Sequence, residues 1–123
     1  MSGGARCVRD KDVMAFIAKD GSRVRELMHP TVHGNRAQSL AEATIPAGST
    51  TRLHRHRCVE ELYYVLQGQG LMTGGGEEWV IGMGDTVLIP PGTPHQIRAL
   101  GAVDLRILCA SAPAYADDDT ELL

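Results

Sequence analysis

The chain has 123 residues and a formal net charge of −3, with 43% hydrophobic and 22% charged residues. That length supports one domain around one modest core, and the acidic balance excludes the cationic surface that nucleic acids or anionic membranes require. No apolar run approaches the roughly 18 residues of a membrane span. The start, Met1-Ser2-Gly3-Gly4-Ala5-Arg6, lacks the apolar core of a secretory signal. Three cysteines, Cys7, Cys58 and Cys109, cannot all pair within one chain and form no CxxC. Free thiols in a reducing cytoplasm are therefore expected.

Fourteen glycines and only 4% aromatics point to many turns between short strands filled by aliphatic side chains, an all-β architecture. In chain order, residues 1–11 read as a loose polar arm. Val13 to Ala18, stopped by the Asp20-Gly21 turn signal, reads as a strand, as does Arg23 to Leu27. His29 to Asn35, with Pro30 and Gly34, reads as a loop. Gln38 to Ile45 is a strand closed by Pro46-Ala47-Gly48. Glu61 to Leu66 is the richest in β-forming residues. Gly70 to Thr73 and Glu78 to Ile81 flank a Gly74-Gly75-Gly76 hairpin tip. Thr86 to Ile89 stops at Pro90-Pro91-Gly92, and His95 to Leu100 and Val103 to Ala110 turn about Gly101. Eight or nine short strands at this spacing predict a barrel or sandwich. The end, residues 111–123 with Asp117-Asp118-Asp119, reads as a solvated, partly mobile tail.

The chemistry concentrates between Gly48 and Glu61. His54 and His56 stand two apart, so on an extended segment both imidazoles face one way and Arg55 the other. Glu61 opens the next strand and His95 a later one. Imidazoles and one carboxylate converging inside a barrel suit a divalent first-row metal: Mn, Fe, Co, Ni or Zn. Gly48 and Gly84 each follow a strand where a turn needs positive φ, and Pro90-Pro91-Gly92 forces a reversal just before His95.

The spacing of Gly48, His54-x-His56, Glu61 and Gly68 resembles the first motif of the cupins. Gly84, Pro90-x-Gly92 and His95 resemble the second. The resemblance covers residues 37–110. It implies a small single-domain cupin, a double-stranded β-helix or jelly-roll barrel, with residues 1–36 packing on the barrel and residues 111–123 as an acidic tail. It implies one divalent transition metal held by His54, His56, Glu61 and His95. A departure is Ala99, where the second motif carries Asn, which removes a turn or supporting hydrogen bond but no ligand.

The scaffold hosts many chemistries. The resemblance implies a metal-dependent enzyme on a small polar metabolite, an isomerase-like reaction on a sugar or keto acid. The alternatives are an Fe/Mn dioxygenase and a non-catalytic small-ligand binder or sensor. Tyr63 shares the strand face of Glu61 and is the candidate catalytic side chain; a base would come from Tyr63, from a carboxylate such as Glu42, or from metal-bound hydroxide. Glu60 faces away from Glu61 and is not expected to ligate. Gln69, Glu42, Arg98 and Arg106 are candidate polar groups of the pocket. Cys58 is read as a small apolar filler, Cys109 as a core thiol and Trp79 as packing or interface. His29 and His33 are spaced as a helical metal pair, but Pro30 between them argues against a helix, so they read as surface histidines. The partners expected are a small-molecule ligand and a second copy of the chain, since a short barrel leaves sheet edges and an apolar outer face to cover.

Overall fold

The computed structural model describes residues 4–123. Among them eleven strands form two antiparallel sheets that face each other as a jelly-roll barrel. The strands are β1 (Ala15–Ile17), β2 (Arg23–Met28), β3 (Ser39–Ile45), β4 (His54–His56), β5 (Glu60–Gln67), β6 (Gln69–Gly74), β7 (Glu77–Gly82), β8 (Thr86–Ile89), β9 (His95–Leu100), β10 (Leu105–Ala112) and β11 (Thr120–Leu122). One sheet runs β1-β2-β3-β10-β5-β8 and the other β11-β4-β9-β6-β7. The alternation of the sequence sets the inward faces: Ala41, Ala43 and Ile45 on β3, Glu61, Tyr63 and Val65 on β5, and Leu105, Ile107 and Ser111 on β10 are buried, while Leu40, Leu62 and Tyr64 point out.

Register turns this alternation into a gradient. In the six-stranded sheet the innermost row is Leu105 beside Ile45, followed by Val65, Ile107, Ala43 and Val24, then Tyr63, Cys109, Ala41 and Glu26. The last row is Glu61, Ser111 and Ser39. The interior is therefore hydrocarbon at one end and polar at the other, and the polar end is where a ligand can be recognised. The motif glycines do the work their positions demand: Gly48, Gly84 and Gly92 all have positive φ. Ala99 is fully buried, and its backbone donates to Ser49 O and accepts from Gly48 N at 2.9 and 3.0 Å, holding that turn through the main chain.

Three expectations are corrected. The loop at His29 to Asn35 contains one helical turn, α1 (Pro30–His33). Pro30 occupies the first helical position, where its missing N–H costs nothing; His29 caps that turn and accepts from Thr31 N at 3.1 Å. The end of the chain is not a solvated tail. Residues 117–119 form a short 3-10 turn, β11 pairs with β4, and Thr120 is buried. The loose arm lies for its first three residues outside the described residues; further on it is pinned by Asp10, whose Oδ1 lies 2.6 Å from Arg25 Nη2.

Candidate metal centre

His54 and His56 project inward from β4, and His95 inward from the start of β9, directly beside His54 in the ladder. Their candidate ligand nitrogens lie within 4.8 Å of one another. Each ring is held by its other nitrogen. His54 Nδ1 lies 2.7 Å from Arg52 O, His95 Nδ1 2.8 Å from Thr93 O, and His56 Nδ1 2.9 Å from Thr120 Oγ1. Acceptors on all three Nδ1 atoms leave the Nε2 lone pairs aimed inward, as metal-ligating imidazoles require. The rigid Pro90-Pro91-Gly92 reversal is tied to β4, because Gly92 N donates to His56 O at 2.6 Å.

Glu61 lies beside His56 and His95, outside the group of three histidines whose candidate ligand atoms all lie within 4.8 Å of one another. Its Oε1 is 3.2 Å from His56 Nε2 and 3.6 Å from His95 Nε2. Burial pushes this carboxyl up, but the close approach of His56, then of His95, outweighs it and holds it at about 2. His54 is pushed down by burial first, then by the neighbouring His95, so it favours the neutral form that binds metals. His95 is fully buried, and its Nε2 has no hydrogen-bond partner. An orphaned buried nitrogen costs free energy unless something satisfies it. Three convergent imidazoles are a donor set that fits a divalent first-row ion.

The cluster opens on a cavity of ≈ 50 Å³, on the order of four water molecules. Tyr63 lines it beside His95, ring centroids 6.0 Å apart, and its hydroxyl has no partner among the described residues. Burial, then the charge of Glu61, push that hydroxyl well above its ordinary range, so it remains a proton donor. Glu60 is exposed on the opposite face, as expected.

Other candidate pocket groups lie elsewhere, because the parity of their strands was not legible. Glu42 faces outward and bridges Arg25 and Arg106 at 3.4 and 2.7 Å, which removes both Glu42 as a base and Arg106 as a pocket group. Gln69 and Arg98 are exposed. Cys58 is exposed rather than a filler, its N–H donating to Asp119 Oδ1 at 3.0 Å. Cys109 packs against the core and Trp79 is half-exposed. His29 and His33 bind each other, His29 N donating to His33 Nδ1 at 3.0 Å, and His29 Nε2 meets Tyr115 O at 2.7 Å.

The cavity instead recruits residues the sequence did not mark. Asp20, legible only as a turn residue, places Oδ2 4.0 Å from His54 Nε2 while Oδ1 accepts from Ser22 N and Oγ. Tyr115 and Thr120, in the acidic end, line the wall next to His56. A β-branched residue following the aspartate run was the one sequence signal for Thr120.

The family profile described as "Cupin domain" matches residues 41–111. An uncharacterized protein of Methanocaldococcus jannaschii is 51% identical over 111 residues, 90% of this chain and 89% of that protein. An oxalate-binding protein of Thermotoga maritima is 34% identical over 84 residues, 68% of this chain and 65% of that protein. The crystal structure of "a predicted oxalate decarboxylase" from Thermotoga maritima superposes with a TM-score of 0.74 at 27% identity, over 88% of this chain and 99% of that one.

Proposed function

This chain belongs to the cupin family, and from that premise we propose that it is a mononuclear metal-dependent protein acting on a small polar metabolite in the cavity beside His54, His56, Glu61 and His95. The observation that carries this reading is the buried, unpartnered Nε2 of His95, in a group of three histidines whose candidate ligand atoms lie within 4.8 Å of one another. Those three nitrogens and Glu61 Oε1 would hold one divalent ion of Mn, Fe, Co, Ni or Zn. Such an ion supplies Lewis acidity, polarising a carbonyl or hydroxyl of the bound molecule. Tyr63 then offers its proton from Oη to an oxygen of that molecule, acting as donor rather than base. Aliphatic side chains of the inner rows exclude water behind the ligand. The reaction class favoured is isomerase-like.

A second reading is small-ligand binding without turnover. It is favoured by the likeness to a protein named for binding oxalate.

Elemental analysis of the purified protein tests the metal site. The expected result is about one divalent ion per chain in the wild type and little in His56→Ala, since removing a ligand leaves the shell incomplete. Stoichiometric metal in His56→Ala overturns the ligand set. Loss of turnover on chelation, and its return with one divalent ion, separates the enzymatic reading from simple binding.

Two further proposals concern the molecule as a whole. Leu88, Leu62, Ala110 and Leu40 are register partners across β8, β5, β10 and β3, and the three leucines are exposed. This outward apolar row supports a homodimer, with twice the chain mass expected in light scattering at micromolar concentration. The free thiols Cys7, Cys58 and Cys109 support a reducing compartment. Among the described residues no helix is long and apolar enough to cross a membrane.

A further inference from the structure

The charge of the cavity wall narrows the ligand. All twelve lysines and arginines of the chain lie outside the residues that line the cavity. Lys19, next to Asp20, turns away and gives its Nζ to Asp117 O and Thr120 O at 3.0 and 2.7 Å. Arg36 lines only an outer groove. The wall does contain carboxylates beyond Glu61. Asp20 stands 4.0 Å from His54 Nε2, its other oxygen anchored by Ser22. Glu26 faces in from β2, and its Oε2 is buried without a partner. Two hydroxyls, Tyr63 and Ser111, also reach the cavity without a partner among the described residues.

We infer that this cavity selects an uncharged, hydroxyl-bearing molecule, a polyol or sugar fragment, and rejects dicarboxylates such as oxalate. The inference rests on the reading of the cavity as a metal-dependent small-molecule site. The charge of a divalent ion held by the histidines would be offset by Glu61 and Asp20 nearby, so a dianion entering there would meet carboxylates with no compensating cation. Recognition of dicarboxylates normally uses a guanidinium or ammonium group, and this wall has neither. Carboxylates are acceptors, and a polyol supplies the O–H donors that Asp20 and Glu26 lack. A hydroxyl-bearing ligand thus satisfies groups that would otherwise stay buried and unpaired. Oxalate binding in a relative does not transfer to this chain on these grounds.

The test is titration calorimetry on metal-loaded protein, with glycerol, erythritol and D-xylose as uncharged probes and oxalate as the dianion. Metal content is measured first in every sample. A wild type without metal counts against the metal-centre reading, whereas the probes judge charge selection only in loaded protein. The expected result has two parts. At least one uncharged probe binds the wild type more tightly than oxalate, and Asp20→Asn raises oxalate affinity roughly tenfold or more, as removal of a like-charge contact predicts. Glu26→Gln gives a smaller gain in the same direction and serves as the second variant should Asp20→Asn fold poorly. The inference is overturned if none of the uncharged probes binds, if oxalate binds the wild type more tightly than all three, or if neither substitution raises oxalate affinity.

Discussion

Thr120 holds His56 from the far end of the chain. Its Oγ1 lies 2.9 Å from His56 Nδ1 and also donates to Ala116 O at 3.0 Å. Because the hydroxyl proton is spent on Ala116, the bond to His56 runs from Nδ1–H to Oγ1. That orients the ring so that Nε2 faces the cluster, where it meets Glu61 Oε1 at 3.2 Å.

Thr120→Val is therefore expected to weaken metal binding about 10- to 100-fold, the usual cost of losing the group that orients a ligand. Thr120→Ser should restore it. Competitive metal titration against a chromophoric chelator reads both. A valine variant with unaltered affinity would show that the ring is oriented by packing alone.

Glu60 and Glu61 are adjacent, yet only Glu61 is buried. Glu61→Gln should lose most of its metal and Glu60→Gln should retain the wild-type content, as measured by elemental analysis. The opposite outcome would overturn the strand register on which the site is built.

In metal-free protein, acid should destabilise the fold in two stages. His54 is pushed below 6.5 by burial, so the unfolded chain takes up its proton first and stability falls as pH drops below that value. Glu61 is held at about 2 against an ordinary 4.5. Its contribution, on the order of 3 kcal/mol, is complete above 4.5 and is lost as pH falls toward 2. Thermal unfolding across pH in the presence of a chelator checks the sign. Glu61→Gln should flatten the lower stage and leave the upper one.

Gly68 cannot be replaced cheaply. Its φ is +84°, and a Cβ there would lie 2.8 Å from Asp104 O. Gly68→Ala should lose at least about 2 kcal/mol, lowering Tm by several degrees. Gly82, where a Cβ meets nothing within 4 Å, is the control, and Gly82→Ala should stay within about 1 kcal/mol of the wild type.

The parts of this molecule legible in the sequence are those with local physical signatures. His54 and His56 share a face because strands alternate. Gly48, Gly84 and Gly92 stand out because few other residues accept positive φ. His95 follows a rigid Pro-Pro-Gly reversal. What stayed hidden depends on long-range registry. Glu42 lies one residue from inward-facing Ala41 and Ala43, and nothing local says which parity of β3 faces in. Asp20 reaches the cavity only because the turn between β1 and β2 forms part of its wall. Thr120 reaches His56 across 64 residues of chain, a distance at which periodicity carries no information.

The thinnest part of the barrel is where the histidines meet. β4 is three residues long and joins β9 through one residue pair, His54 with His95, whereas β6 and β9 share six pairs. On its β9 side the strand carrying two of the three imidazoles is thus sewn by a single stitch, while its other edge pairs with β11 over three residues. Local opening concentrates at such weakly laddered segments. Any ion that grips His54, His56 and His95 together spans this seam and fastens it, so its binding free energy becomes resistance to opening there. The amides of β4 and β11 then report occupancy directly, exchanging quickly in the stripped protein and slowly in the loaded one. The barrel is its own gauge of whether the centre is filled.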